Sequence, residues 1–215
     1  MDVKMLYRDR DIFVCLKPVG AVSEENDGRG DSLADVLREQ NGGYIGVVHR
    51  LDRGVGGVMV YARTKQAAAK LSAAVQAHTL EKIYLAVVHG MPEKSATTLT
   101  DLLYHDRIKN KTFVVDRVRN GVKEAILDYE ALKTYEQEPF GKVSLLRIRL
   151  HTGRTHQIRV QFASRGLPLV GDNKYGARDR SEIALFCHSL TFPHPSTGKK
   201  LTFTEYPEWA REESI

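Results

Sequence analysis

Between Tyr44 and Thr64 the chain reads YIGVVHRLDRGVGGVMVYART, and its chemistry is concentrated in five residues, His49-Arg50-Leu51-Asp52-Arg53. A carboxylate set between two guanidiniums stays ionised, because opposite charge favours the charged form. Held in one place, such a group can attack a sugar carbon or take a proton. Retaining glycoside hydrolysis would need a second carboxyl group as acid, and no other acid in the chain has a comparable setting. HRLD also echoes the kinase catalytic loop, yet the glycine-rich loop, the VAIK-like lysine and DFG are all missing. No Walker loop, CxxC or HExxH occurs, and His151 and His156 are too far apart for a helical ligand pair, so no metal is expected. An ordinary hairpin in which Asp52 makes a surface ion pair fits the same charges. Charge pattern alone does not separate the two readings.

The elements that must hold Asp52 are legible around it. Apolar runs at 45–48 and 58–62 read as two strands, joined by the polar knot and a turn loosened by Gly54, Gly56 and Gly57. Loops on such a scaffold are where reactive groups tend to sit. Upstream, a strand at 12–16 is stopped by Lys17-Pro18 and Gly20. Residues 24–30 read as an acidic, glycine-rich mobile loop. Asp31 or Ser32 then caps a short helix with Leu33, Val36, Leu37 and Gln40 on one face, ended by Asn41-Gly42-Gly43. Thr64 caps a helix at 65–78 with Ala67, Leu71, Ala74 and Val75 as its stripe. Residues 81–89 alternate as a half-buried strand. The polar, basic stretch 93–124 suggests a hairpin of 111–115 with 122–129, within a protruding arm at about 101–123. A strand follows at 143–151. Thr155 is the expected cap of a helix at 156–165, with Ile158 and Phe162 on its buried side. Strands at 183–192 and 200–204 close the chain as a hairpin. Many strands and few helices give an α+β class with a mixed, largely antiparallel central sheet and flanking helices.

Composition narrows the setting. A chain of 215 residues suits a single domain spanning 1–215 and buries roughly 70% of its unfolded surface. The 42% apolar and 27% charged fractions are those of a globular protein. Cys15 and Cys187 sit inside apolar runs, which points to buried thiols in a reducing compartment. No signal-peptide core and no long apolar run occur, so a cytoplasmic protein without membrane association is expected. The net charge is +5 with a pI near 9.1. Six bases (Arg107, Lys109, Lys111, Arg117, Arg119, Lys123) face one acid, Asp116, in 107–123, so this stretch carries the whole excess. A second basic run, Arg147, Arg149, Arg154, Arg159 and Arg165, is broken by no acid. Clustering of this kind favours nucleic acid over a merely solvated face.

HRLDRGVGGVMVYART resembles the HRLD motif of the RluA-type RNA pseudouridine synthases, and four more blocks follow the family's order. KPVG at 17–20 resembles the KPxG turn. EKIYLAVVHG at 81–90 resembles the KxYxAxVxG strand. LHTGRTHQIRVQFASRGLPLVGDNKYG at 150–176 resembles the TGRxHQIRxH…GxPxxGDxxYG block, and LTFPHPSTGKKLTFTEYP resembles the C-terminal hairpin. Together they span nearly the whole chain. Two departures stand out: Val55-Gly56-Gly57 replaces the usual Thr-Ser-Gly, and Gln161 stands where His is common. The KPVG turn begins near the start, so the resemblance covers the catalytic domain without the N-terminal S4-like RNA-binding module of some relatives.

The resemblance implies the pseudouridine synthase catalytic fold and isomerisation of specific uridines in ribosomal or transfer RNA after base flipping, with no cofactor. Asp52 is implied as the catalytic residue, attacking C1′ or deprotonating C2′. Arg159 would pair with Asp52 and hold it ionised. Tyr84 would stack on the uracil and help with the proton removed from C5, with a core strand tyrosine as the alternative. Arg50 would fill the gap left by the base, with His49 and Arg53 beside it, and a buried polar site is the preferred reading of His49. Lys109, Lys111, Arg117 and Arg119 of the arm would grip phosphates. The turn of Gly153, Arg154 and Thr155 would hold a phosphate or simply close the fold. A monomer is expected. A non-catalytic RNA-binding or ribosome-assembly factor that retains the fold is the alternative, and a nucleoside glycosidase or lyase is a third reading.

Overall fold

The computed structural model describes residues 3–24, 32–179 and 181–210, in two compact units: 1–82 with 186–208, and 83–185 with 209–215. Most of the loop expected at 24–30, and the alternative cap Asp31, lie outside the described residues.

In the first unit, largely apolar runs make the sheet. β1 (Met5–Arg8) pairs antiparallel with β2 (Ile12–Lys17), and β2 with β4 (Gly56–Ala62). The short β3 (Gly46–Val47) also pairs with β4, so only two of the four residues expected at 45–48 are strand. Helix α1 (Leu33–Asn41) starts at Ser32, whose hydroxyl accepts from Asp35 N while the Asp35 carboxylate accepts from Ser32 N. Such a reciprocal cap satisfies two otherwise orphaned donors. Helix α2 (Lys65–Gln76) is capped by Thr64, as expected. Its Ala67, Leu71 and Ala74 pack on Ile12, Val14, Val58, Val60 and Ala62. Full burial of Leu71 alone contributes about 2 kcal/mol. Farther along, β10 (Leu185–Pro193) runs parallel to β4, with Cys187 beside Gly57, and pairs antiparallel with β11 (Lys200–Thr204). Cys15 and Cys187 are free buried thiols, and burial pushes Cys15 up to about 12.

The second unit is an antiparallel meander. β5 (Glu81–His89) pairs with β9 (Gly141–Leu150), β9 with β8 (Val122–Gln137), β8 with β6 (Ala96–Asp106), and β6 with the edge strand β7 (Lys111–Val115). Three expectations are corrected here. β5 is buried on both faces from Tyr84 to Val88, not half-buried. β7 does not pair with β8, because β6 lies between them. Helix α3 (Gln157–Ala163) is shorter than 156–165. It begins after His156, which sits at φ 55 with no side-chain cap bond, so Thr155 is not its cap. Its Val160 packs with Leu103, Ala125 and Tyr175. The largely antiparallel sheets with flanking helices are the α+β class read from the sequence.

Candidate active site

Asp52 sits on a turn that the rest of the first unit holds from several sides. Its carbonyl accepts from Val55 N at 2.9 Å, which closes the turn. The KPVG turn is stitched to it reciprocally: Gly20 N donates to Arg53 O at 2.8 Å, and Arg53 Nε donates to Gly20 O at 3.1 Å. Lys17 completes the joint. Its side chain has no exposed surface, and Nζ donates to Pro18 O, Arg53 O and Val55 O at 3.1, 3.3 and 2.8 Å. Burial pulls the ammonium down to about 8, and the charge of Asp52 opposes that pull. On the other side, the Ser23 hydroxyl donates to Leu51 O at 2.9 Å and accepts from Leu51 N at 3.1 Å. Tyr61 in turn donates to Ser23 O. Bonds from so many directions keep the backbone of this turn in one place, and a fixed attachment point is what proximity catalysis needs.

The neighbours of Asp52 differ in kind. His49 is buried, and its Nε2 accepts from Val60 N at 3.2 Å, so the proton is on Nδ1. That Nδ1 has no partner among the described residues. Burial, with the positive charge of Lys82 added, holds the imidazole well below its usual range, so it is neutral. A buried polar site, one of the two expectations for His49, matches this position. Arg50 is exposed and pairs with Glu24 at 2.6 Å, an arrangement worth little in water. Arg53 commits its Nε to Gly20 O.

The two glycines of Val55-Gly56-Gly57 have different reasons. At Gly57, φ is 135°, and an added Cβ would lie 2.5 Å from Cys187 N and O, so the parallel β10 backbone admits only glycine. At Gly56 the nearest atoms are 3.2 to 3.3 Å away, on Val19, Lys17 and Phe186, so a small side chain needs only slight give. In the resemblance read from the sequence, Gly57 stands at the glycine of Thr-Ser-Gly. The departure is therefore confined to Val55 and Gly56.

The second unit carries Tyr84 and Arg159. Tyr84 is 6% exposed, opposite Ile148 of β9. Arg159 is gripped by Asp172, the aspartate of the GDxxYG block, to which the sequence reading gave no role: Nε and the guanidinium Nη2 donate to Asp172 Oδ2 and Oδ1, both at 2.8 Å. The Asp172 side chain is 1% exposed. A bidentate, buried pair of this sort fixes both position and orientation. Asp172 owes its position to Gly171 (φ 79°), where a Cβ would strike Glu182 O at 2.1 Å. The ring of Tyr175 lies 5.1 Å under Arg159 and 5.3 Å from Lys111 Nζ. Its hydroxyl accepts from Thr112 N and shares a hydrogen bond with His156 Nδ1, both at 2.8 Å. The Thr112 hydroxyl donates to Thr155 O. The GDNKYG turn therefore ties the base of β7 to the start of α3.

Other basic residues fall into three groups. Of the run unbroken by acids in sequence, Arg147 pairs with Glu130 at 2.5 Å, Arg159 with Asp172, and Arg165 with Asp101 at 2.9 Å. Strand pairing and α3 bring in carboxylates distant in sequence, so this run is not a bare cationic face. Arg154 donates from Nε to Glu124 O, while its backbone N donates to Gln157 Oε1. The arm cations are freer: Lys109 is exposed, Arg117 makes only a loose 3.8 Å pair with Asp116, and Arg119 stacks 4.9 Å from the Tyr104 ring. Gln161, fully buried, donates from Nε2 to Asp101 Oδ2 at 2.8 Å, which accounts for a polar residue at that helix position.

A trio of Asp9, Asp11 and His194 brings three ligand-type atoms within 4.8 Å of one another. His194 Nδ1 accepts from Ser196 N and Thr197 N, so Nε2 carries the proton and donates to Asp9 at 2.7 Å. The ring nitrogens are thus both committed within the protein. Among the described residues no helix is long and apolar enough to cross a membrane.

Residues 11–164 match the family model described as RNA pseudouridylate synthase. The chain is 35% identical to an uncharacterized RNA pseudouridine synthase of Aquifex aeolicus, over 96% of this chain and 70% of that one. It is 34% identical to the ribosomal large subunit pseudouridine synthase D of Pseudomonas aeruginosa, over 94% of this chain and 67% of the other. In three dimensions it is similar to human RNA pseudouridylate synthase domain containing 1, with a TM-score of 0.80, 23% identity, and coverage of 97% and 85% of the two chains. The last likeness concerns the fold alone.

Proposed function

The chain belongs to the RNA pseudouridylate synthase family, whose members are isomerases, and from that premise we propose that it isomerises uridine to pseudouridine in RNA, with Asp52 as the catalytic carboxylate. The observation that carries the assignment is the clamping of the Asp52 turn by Lys17, Gly20 and Ser23. An exposed turn whose carboxylate merely paired at the surface would not need a fully buried ammonium beneath it.

The reaction needs no net addition or loss of atoms. The N1–C1′ bond breaks, the uracil turns, C5 bonds to C1′, the C5 proton leaves, and N1 ends protonated. Asp52 acts on the sugar, either attacking C1′ and being displaced when C5 bonds there, or taking the C2′ proton and returning it as the C5–C1′ bond forms. Arg159 pairs with Asp52 in this reading, and its grip by Asp172 supports a role that needs a fixed guanidinium. Tyr84 stacks on the uracil. The target base leaves its stack at a cost of a few kcal/mol, and Arg50 fills the gap. His49 and Arg53 line the same turn. Lys109, Lys111, Arg117 and Arg119 contact phosphates, with Arg154 and Thr155 at a further backbone contact.

We assign ribosomal RNA as the substrate class ahead of transfer RNA, because the Pseudomonas aeruginosa relative is named for the large ribosomal subunit. The described units work as one catalytic domain over 1–215, as a cytoplasmic monomer. The non-catalytic alternative draws its support from the glycine pair, and Gly57 has a packing reason of its own. Mapping pseudouridines in total RNA from cells with and without the gene, and with Asp52→Asn, tests the proposal. A site present only with the wild-type protein supports it.

A further inference from the structure

The arm carries two turns of the same unusual composition. β6 and β7 are joined by Arg107-Ile108-Lys109-Asn110, and β7 and β8 by a turn containing Arg117-Val118-Arg119. In each, one β-branched aliphatic stands between two cations. Ile108 is 99% exposed and Val118 is 79% exposed, the two highest values among the large hydrophobic side chains described. Scattered apolar surface residues are ordinary, but β-branched residues are poor turn formers, since turns favour Gly, Asn, Asp, Pro and Ser.

Both turns are held by the protein itself. The Asp106 carboxylate accepts from Ile108 N and Lys109 N, each at 3.0 Å. Lys174 Nζ donates to Asn110 O at 2.8 Å. In the second turn Val122 N donates to Arg119 O at 3.0 Å, and the Arg119 guanidinium lies on the Tyr104 ring. Between them, the outer face of the edge strand presents Lys111 and a part-exposed Phe113. Preorganised turns bear their aliphatic tips at little entropic cost on binding.

We infer that Ile108 and Val118 are apolar wedges that pack against unstacked bases of the RNA, while the flanking cations hold its phosphates. The occupant follows from the charge: a hydrophobic protein partner would meet four cations around two small tips, whereas RNA matches both parts. Insertion of aliphatic side chains at base steps is an established way to read deformable nucleic acid, and RNA offers splayed bases in loops and bulges. β7 is five residues long, roughly 17 Å at about 3.4 Å per residue, so the tips engage separate steps. This inference rests on RNA being the partner and adds which feature of the RNA is recognised.

The test uses the full chain and two fluorescein-labelled RNAs, a hairpin with an unpaired loop and a fully paired duplex of equal length. A 2-aminopurine in the loop reports unstacking. Wild type should prefer the hairpin and raise the 2-aminopurine signal. Ile108→Ala and Val118→Ala should each weaken hairpin binding roughly tenfold, as expected for losing the burial of about two aliphatic carbons, and lower that signal. Their salt dependence should stay unchanged, and Ile108→Trp should restore the affinity. Lys109→Ala should instead flatten the salt slope by about one. Unchanged affinity and signal in both alanine variants overturn the inference, as does absence of binding by wild type to either RNA. If wild type binds and unstacks the loop but no pseudouridine forms in any RNA, the wedge stands and the catalytic reading falls.

Discussion

Lys17 Nζ donates 2.8 Å to the carbonyl of Val55, a residue 38 positions away on the far side of Asp52. A buried ammonium thereby ties the KPVG turn to the turn that carries the carboxylate. Lys17→Met should keep the apolar stem and lose every one of these bonds, costing about 2–4 kcal/mol of stability and at least about tenfold in rate. A thermal melt and a single-turnover assay check both. A variant as stable and active as wild type would show that the joint does not depend on Lys17.

The same lysine has a pH signature. Its folded value of about 8 lies below the ordinary 10.5, so between these values the unfolded chain binds more protons than the folded one. Its contribution to stability therefore rises as pH climbs from 8 to 10.5, and is lost again as pH falls through 8. The difference in unfolding free energy between wild type and Lys17→Met, followed from about pH 7 to 10.5, should shift in favour of wild type by at most about 3 kcal/mol. A flat difference contradicts a desolvated ammonium.

The glycine pair separates sterically. Gly57→Ala puts a Cβ onto the Cys187 backbone and should cost about 3 kcal/mol or more, at a φ that L residues rarely adopt. Gly56→Ser, which moves toward the usual Thr-Ser-Gly, should fall within about 1 kcal/mol of wild type. Denaturant midpoints decide, and equal losses at the two sites would contradict the close approach of β10.

Much of this arrangement is legible in the residues alone, for definable reasons. Ser32, Thr64 and the alternation at 81–89 are local signals, and the caps of α1 and α2 and the bounds of β5 match them. β6 is hidden because Asp101, which interrupts its apolar alternation between Leu99 and Leu103, is held by Arg165 and Gln161 from α3 and the turn after it. The partners Ser23, Lys17 and Asp172 reach their targets across 13 to 38 residues. Periodicity carries no such information. The start of α3 departs from its expected cap because His156 enters the helix in the left-handed region, with the Thr155 carbonyl committed to Thr112.

Asp172 should matter through Arg159. Asp172→Asn keeps the shape but removes the charge that holds the guanidinium. Catalytic rate should drop at least about tenfold while RNA affinity is kept, and Asp172→Ala should also destabilise by about 3–5 kcal/mol by leaving a buried cation behind. Parallel loss of rate and binding in Asp172→Asn would argue for a purely structural role.

The proposed function turns on whether Asp52 performs the chemistry. The decisive comparison sets purified wild type beside Asp52→Asn. Each is incubated with ribosomal RNA transcribed without modification, and pseudouridines are mapped by carbodiimide-dependent primer extension. A stop at a defined uridine is expected with wild type and none with Asp52→Asn, while both proteins bind the RNA with similar affinity. Pseudouridine formed equally by Asp52→Asn would contradict a catalytic role for this carboxylate.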